Sequence, residues 1–383
     1  MPEVAQNTLY LTTPATYVAR DHLTLQVEVP VYPPDLPPEE RQRDRATDWR
    51  RVSIPIHHLE SVCLFGASSI SPPALDLCWE HGVAVNYLTE NGHLQARLTG
   101  VADTSVTLRR VQFRAADDPA RCAAIARQVI AGKLQNSRNS LLRAARESES
   151  SSQRSEVSDQ RSEVSDQRSE LASAADGLAR QIEELGRWTL DDLRAPGALD
   201  SLRGVEGMGS ATYFGVFTGL LKQQRDAFAF TTRTRRPPRD RVNCLLSFLY
   251  ALVRHDCVAA LTATGLDPFV GFLHAERPNR PALALDLMEE FRPWLADRVA
   301  VTLVNRQQVG PDDFHEREGG AVEFTEAGRK RVITAYQQRK QETLQHALLD
   351  QNLRVGQMPF VQARVLARHL RGDLTDYVPF VPK

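Results

Sequence analysis

His274 is followed closely by three carboxylates, Asp286, Glu289 and Glu290, with Arg277 and Arg280 in the turn between them. Imidazole and carboxylate are common ligands of divalent metals, and oxygen-rich sets suit Mg²⁺ or Mn²⁺. Arginines beside such a set suit a phosphate-bearing substrate, because the guanidinium fork matches phosphate oxygens. A second basic run, TTRTRRPPRDR, carries Arg233, Arg235, Arg236, Arg239 and Arg241 with only Asp240 as an acidic neighbour. A further carboxylate, Glu206, sits among small residues in SLRGVEGMGSATYFGVF, where another backbone or a ligand could approach closely. Metal-assisted chemistry on a nucleic acid is the reaction class these residue types suggest.

Each of these features also has a plainer reading. On a helix after Pro281, at about 100° per residue, Leu283, Leu287, Met288 and Phe291 share one side and Asp286, Glu289 and Glu290 the other. Taken alone, that pattern reads as a solvated acidic face. His274, at the end of the apolar Gly271-Phe272-Leu273, could be a hydrogen-bonded histidine beside a core, or a ligand facing Glu289 across the turn. Glu206 could be a helix N-terminal glutamate favoured by the macrodipole. The arginine run could be an ordinary charged loop; phosphate contact is the stronger reading.

The elements that must position these residues divide into two kinds. The first hundred residues alternate as strands do, at Leu9 and Leu11, then at Leu23, Leu25, Val27 and Val29. VSIPIHHLESVCLFG and GVAVNYL are further strands, and PPALDLCWEHG between them a short helix with Pro at its start and Gly82 at its end. Asn91-Gly92, between Val83–Leu88 and Leu94–Leu98, signals a hairpin. The boundary falls near Gly100–Leu108, after which the spacing is helical. Helices are expected over 119–147, 171–188, 204–221, 241–264, 281–303, 325–349 and 361–370. The fold class is therefore α+β: a small N-terminal β-domain (1–100) and a larger all-α domain (101–383). Within the latter lies a heptad repeat, SSQRSEV-SDQRSEV-SDQRSEL, at 151–171. One apolar residue per seven cannot make a coiled-coil seam, so the repeat reads as an exposed connector, with a solvated helix extension as the close alternative.

Composition narrows the class further. The 383 residues are 42% hydrophobic and 25% charged, which is ordinary for a globular protein. No run of apolar residues is long enough to span a membrane. Five cysteines without a C-x-x-C pair argue against a disulfide framework or structural zinc and fit a cytoplasmic location. Residues 201–383 carry 25 Lys and Arg against 20 Asp and Glu, whereas residues 1–200 carry 22 against 28. The half with the candidate site is thus the basic half, as nucleic-acid binding favours. No P-loop, dinucleotide fingerprint, nucleophile elbow or H-E-x-x-H motif occurs, which argues against a nucleotide-driven motor, a dehydrogenase, a serine hydrolase and a zincin.

The segments NTLYLTTPATYVARD, LRGVEGMGSATYFGVF, FAFTTRTRRPP and GLDPFVGFLHAERPNRPALALDLMEEFRP, with YQQRKQE and LARHLRGDL, resemble the CRISPR-associated spacer-acquisition integrase/endonuclease ("Cas-one") family. The likeness is nearest to the type I-C version and covers all but the heptads, which look like an insertion. It implies a divalent metal, Mn or Mg, held by Glu206, His274 and Glu289, with Asp286 assisting; many members have Asp where Glu289 stands. It implies a DNA integrase of CRISPR adaptation, in which a spacer 3′-hydroxyl attacks a phosphodiester of the repeat. The implied partners are double-stranded spacer and repeat DNA, a second copy of the chain, and the small second CRISPR-associated protein. A non-catalytic DNA-binding scaffold and a hydrolase of small phosphate compounds are the alternatives. Metal-dependent strand transfer separates the first from the integrase, and turnover without DNA would mark the second.

Overall fold

The computed structural model describes residues 3–5, 8–33, 36, 42–59, 61–89, 94–98, 106–152, 158–234 and 237–382. An N-terminal strand region is followed by a mostly helical one. Strands β1 (Glu3–Ala5), β2 (Thr8–Leu11), β3 (Tyr17–Asp21), β4 (Thr24–Val31), β5 (Asp48–Pro55), β6 (Ser61–Phe65), β7 (Ser69–Ile70), β8 (Ala84–Leu88) and β9 (Leu94–Leu98) form two sheets. The first runs β1-β2-β6-β8-β9 and the second β5-β4-β3-β7. Alternate residues of β4, Leu25 and Val27, are fully buried with Leu9, Val18, Val62, Leu64 and Val85. That is the period-2 pattern expected of strands with one face on a core. Helix α1 (Pro72–Glu80) starts on Ser71, whose side chain accepts from Ala74 N, and is followed by Gly82 at φ 69°. The strands around Asn91-Gly92 pair antiparallel, β8 with β9; the turn itself lies outside the described residues.

The chain divides into two compact units, residues 1–103 with 312–318 and 323–341, and residues 104–311 with 319–322 and 342–383. The second unit contains α2 (Val106–Ala116), α3 (Pro119–Ser152), α4 (Ser158–Arg187), α5 (Leu190–Arg194), α6 (Ala198–Gly215), α7 (Arg241–Thr264), α8 (Ala282–Met288) and α9 (Arg298–Asn305). Short strands β10 (Phe314–Glu316) and β11 (Val322–Phe324) precede α10 (Glu326–Gln341). Strands β12 (Thr343–His346) and β13 (Gln351–Arg354) then precede α11 (Met358–Arg371). By length and composition α7 could cross a bilayer, but it is a core helix, capped by Asp240 at its start and Gly265 (φ 88°) at its end. Buried Asn243, His255 and Asp256 lie along it.

Three expectations change. The helix expected over 325–349 stops at Gln341, and Thr343–His346 pairs with Gln351–Arg354 as a hairpin. The helix expected over 281–303 is broken. Pro293 has no N–H to give the carbonyl of Glu289, so the chain passes through a π-helical turn, Arg292–Asp297, before α9. The heptads are helical from Ser158, so the connector reading gives way to the helix extension there; residues 153–157 lie outside the described set. The third heptad is also held. Gln167 donates to Gly219 O (3.0 Å) and accepts from Arg225 (2.7 Å), and Leu171 is fully buried.

Candidate functional site

Long α3 and α6 approach closely at Gly209, where a Cβ would lie 2.2 Å from Leu134 Cδ2. That approach brings Glu206 of α6 onto Lys133 of α3, whose Nζ pairs with Glu206 Oε1 and lies 3.0 Å from Ser210 Oγ. The same Nζ lies 2.8 Å from Glu289 Oε2 at the end of α8. Glu289 is in turn 3.1 Å from Arg292 and 3.7 Å from His274 Nε2. Glu206 and Glu289 therefore meet around one ammonium, with His274 facing the other oxygen of Glu289, although the three come from separate parts of the chain.

His274 is positioned from two sides. Asp286 Oδ1 accepts from the His274 backbone N–H (2.9 Å) and contacts its Nδ1 (2.7 Å). Asp286 Oδ2 accepts from the N–H groups of Phe272 (2.6 Å) and Leu273 (3.0 Å). Asp286 Oδ1 thus places a ring proton on Nδ1 and turns Nε2 toward Glu289. Gly271 allows this packing, since a Cβ there would come within 2.8 Å of Asp286 Oδ2 and of the Ala282 backbone. Upstream, buried Gln112 holds the loop by donating to Asp267 O and Val270 O and accepting from Asp267 N, each at 2.8 Å. Arg203 of α6 donates to Leu273 O (2.9 Å).

The three carboxylates of the opening pattern are not a solvated face. Asp286, Glu289 and Glu290 are at most 1% exposed. The short helix is buried on all sides, and its polar side faces a polar interior. Burial alone would raise the Glu289 carboxyl, but the charges of Arg292, Lys133 and His274 outweigh it and hold Glu289 down at about 2. Glu290 points away from the site. It accepts from Tyr377 OH, Gln362 Nε2 (3.0 Å) and Phe380 N (2.7 Å), fastening the C-terminal segment. Burial pushes Glu290 up to about 7 against these hydrogen bonds.

Folding therefore favours the protonated Glu290. Its contribution is complete below the ordinary carboxylate range and is lost as pH rises through about 7. In metal-free urea unfolding, the wild type should lose on the order of 3 kcal/mol from this group between pH 5 and 8. Glu290→Gln should lack that loss. Parallel pH profiles for the two proteins would refute the assignment.

The arginines separate. Arg233 is engaged inside the protein: it donates to Thr234 O, Asn243 Oδ1 and Ser247 Oγ, and its guanidinium lies over Tyr250. Arg241 donates to Ala227 O (2.8 Å). Arg239 and Arg277 are exposed and Arg280 half-buried. Arg277 and Arg280 flank a tight turn with Asn279 at φ 60°. Arg235 and Arg236 lie outside the described residues.

Lys133, Ser210 and Arg292 were not anticipated. Arg292 and Ser210 follow Glu289 and Glu206 by one helical turn, a spacing that could have flagged them. Lys133 had a stronger signal: it lies beside Val129, Ile130 and Leu134 on the buried side of α3, where an unpaired charge is costly.

The donor set suits a divalent cation, since two carboxylates already share one cation and an imidazole nitrogen faces one of them, Glu289. Glu289 Oε2 is buried and accepts no well-directed hydrogen bond, although Lys133 Nζ is near. Among the described residues no three such side chains yet close around a common point. Lys133 stands between the two glutamates, and a metal would take that place.

Residues 9–338 match the family model described as CRISPR associated protein Cas1. The chain is 40% identical over 375 residues to CRISPR-associated endonuclease Cas1 1 of Moorella thermoacetica, covering 98% of both proteins. Its fold is shared with a casposase bound to integration product (TM-score 0.74, 19% identity, 97% and 93% of the two chains). It is also shared with a chain of a Cas6-RT-Cas1–Cas2 complex (TM-score 0.71, 22% identity), covering 100% of this chain and 37% of that one.

Proposed function

Because this chain belongs to the Cas1 family of CRISPR-associated proteins, we propose that it is the metal-dependent DNA endonuclease and integrase of CRISPR adaptation, of the type I-C kind. The observation that carries this reading is the Lys133 ammonium shared by Glu206 and Glu289, with His274 Nε2 3.7 Å from the other oxygen of Glu289. Glu206, His274 and Glu289 would hold Mn²⁺ or Mg²⁺, which when bound would neutralise the scissile phosphate and stabilise the attacking or leaving oxygen. Asp286 holds His274 in the tautomer and orientation that present Nε2. Arg292 keeps Glu289 ionised and adds fixed positive charge beside the reacting phosphate. The nucleophile is the 3′-hydroxyl of the spacer DNA, so no covalent protein intermediate forms.

The helical region from residue 101 onward carries the chemistry, and residues 1–100 form the accompanying β-domain. The working assembly contains a homodimer, duplex DNA and the small second CRISPR-associated protein, in the cytoplasm. Membership of the family and the fold shared with a chain from a Cas1–Cas2 complex support those partners. The test is strand transfer of a short duplex into repeat-containing DNA, with and without the companion protein. Products should require Mn²⁺ or Mg²⁺ and vanish with chelator. DNA binding without metal-dependent transfer would favour the scaffold reading.

Among the DNA-facing arginines, Arg239 and Arg277 are the exposed candidates. Converting both to alanine should weaken binding about uniformly across sequences and reduce the salt slope by about 1 per phosphate lost. An unchanged slope would remove them from the interface. Arg233→Ala should instead lower stability, because its hydrogen bonds lie within the fold.

A further inference from the structure

Lys133 is 6% exposed, yet it lies on the apolar side of α3 beside Ile130 and Leu134. Its ammonium touches Glu206, Ser210 and Glu289 together, hydrogen-bonding the first two and lying 2.8 Å from the third. A simple buried salt bridge between two helices needs one carboxylate. This lysine instead joins the two carboxylates proposed to hold the metal. Three acidic side chains, Glu206, Asp286 and Glu289, are here opposed by two fixed cations, Lys133 and Arg292. Arg292 contacts Glu289 on its other oxygen, Oε1, so among the described residues only Lys133 bridges the two glutamates.

We propose that Lys133 is a resident counter-cation that competes with the divalent metal for Glu206 and Glu289. Without metal, its ammonium keeps two approaching carboxylates from repelling each other and preserves the site. With metal, the ammonium must leave, because a divalent ion and an ammonium cannot share the same two carboxylates at contact distance. Metal affinity is therefore lower than the donor set alone would allow. The metal-free fold is in turn more stable than two unpaired buried carboxylates would allow. This inference rests on the metal reading of the site.

Mn²⁺ alone, titrated calorimetrically into the wild type, Lys133→Met, Lys133→Gln and Lys133→Arg, tests it, with thermal unfolding measured beside each titration. The two neutral variants should bind Mn²⁺ at least ~10-fold more tightly. They should unfold at lower temperature than wild type without metal and regain that loss when it is added. Lys133→Arg keeps the charge and should bind Mn²⁺ no more tightly than wild type. A neutral variant that folds only with Mn²⁺ also supports the exchange. One that fails to fold even with Mn²⁺ overturns it, because the metal then cannot take the lysine's place. Equal Mn²⁺ affinity in wild type and Lys133→Met, with binding still abolished by Glu289→Gln, overturns the role of Lys133 and leaves the metal site standing. No saturable binding by any of the proteins overturns both.

Discussion

Strand transfer by the His274→Ala variant is expected to fall at least ~100-fold with the fold intact, because the proposed metal site loses its nitrogen donor. The fold survives because the side chain is partly exposed and Asp286 retains the three backbone N–H groups that organise the loop. Circular dichroism and urea unfolding should match wild type while integration products disappear. Glu289 behaves differently. Glu289→Ala strips the shared partner from buried Lys133 and half-buried Arg292 and should destabilise the protein as well as inactivate it. Glu289→Gln keeps the shape and is the cleaner variant. A folded His274→Ala protein with near-normal integration would exclude His274 from the metal site.

Asp286→Ala should produce the largest loss of stability among the site residues. Removing its carboxylate leaves three backbone N–H groups and the His274 ring without their acceptor in a buried setting. An unsatisfied buried donor costs about 1–3 kcal/mol, so the total should be on the order of 3–6 kcal/mol. Activity should fall too, because nothing then fixes the His274 tautomer. Asp286→Asn keeps one accepting oxygen and should lie between alanine and wild type in both measurements. Urea unfolding midpoints at constant slope provide the first comparison, and integration well below the unfolding temperature the second. Destabilisation below about 1 kcal/mol for Asp286→Ala would contradict the bonding described.

Much of the fold was legible because its signals are local. Leu25 and Val27 alternate as a half-buried strand must, and Ser71-Pro72-Pro73 announces a helix start. The division into a strand region and a helical region follows from those periods. The break at Pro293 could also be read from one residue, but only by asking what its missing N–H does to the helix around Glu289.

The site was half legible. Residue types at His274, Asp286 and Glu289 pointed to a metal; Glu206 stood out among small neighbours, and the resemblance made it a ligand. Polarity along the helix misled, because a polar site interior and water impose the same pattern on a sequence. Only burial distinguishes them, and burial depends on α3 and the C-terminal segment, remote in the chain. The split between Glu289, in the site, and Glu290, bonded to Tyr377 and Phe380, is a matter of side-chain direction that adjacent identical residues cannot reveal. For the same reason the arginine run showed its charge but not that Arg233 turns inward.

The most direct measurement is anomalous scattering from a crystal of the protein grown with Mn²⁺. One manganese peak should lie within ligand distance of Glu206, His274 Nε2 and Glu289, with Lys133 Nζ withdrawn from the two glutamates. A peak elsewhere, or none while Lys133 still bridges Glu206 and Glu289, would contradict a metal centre built from these three side chains.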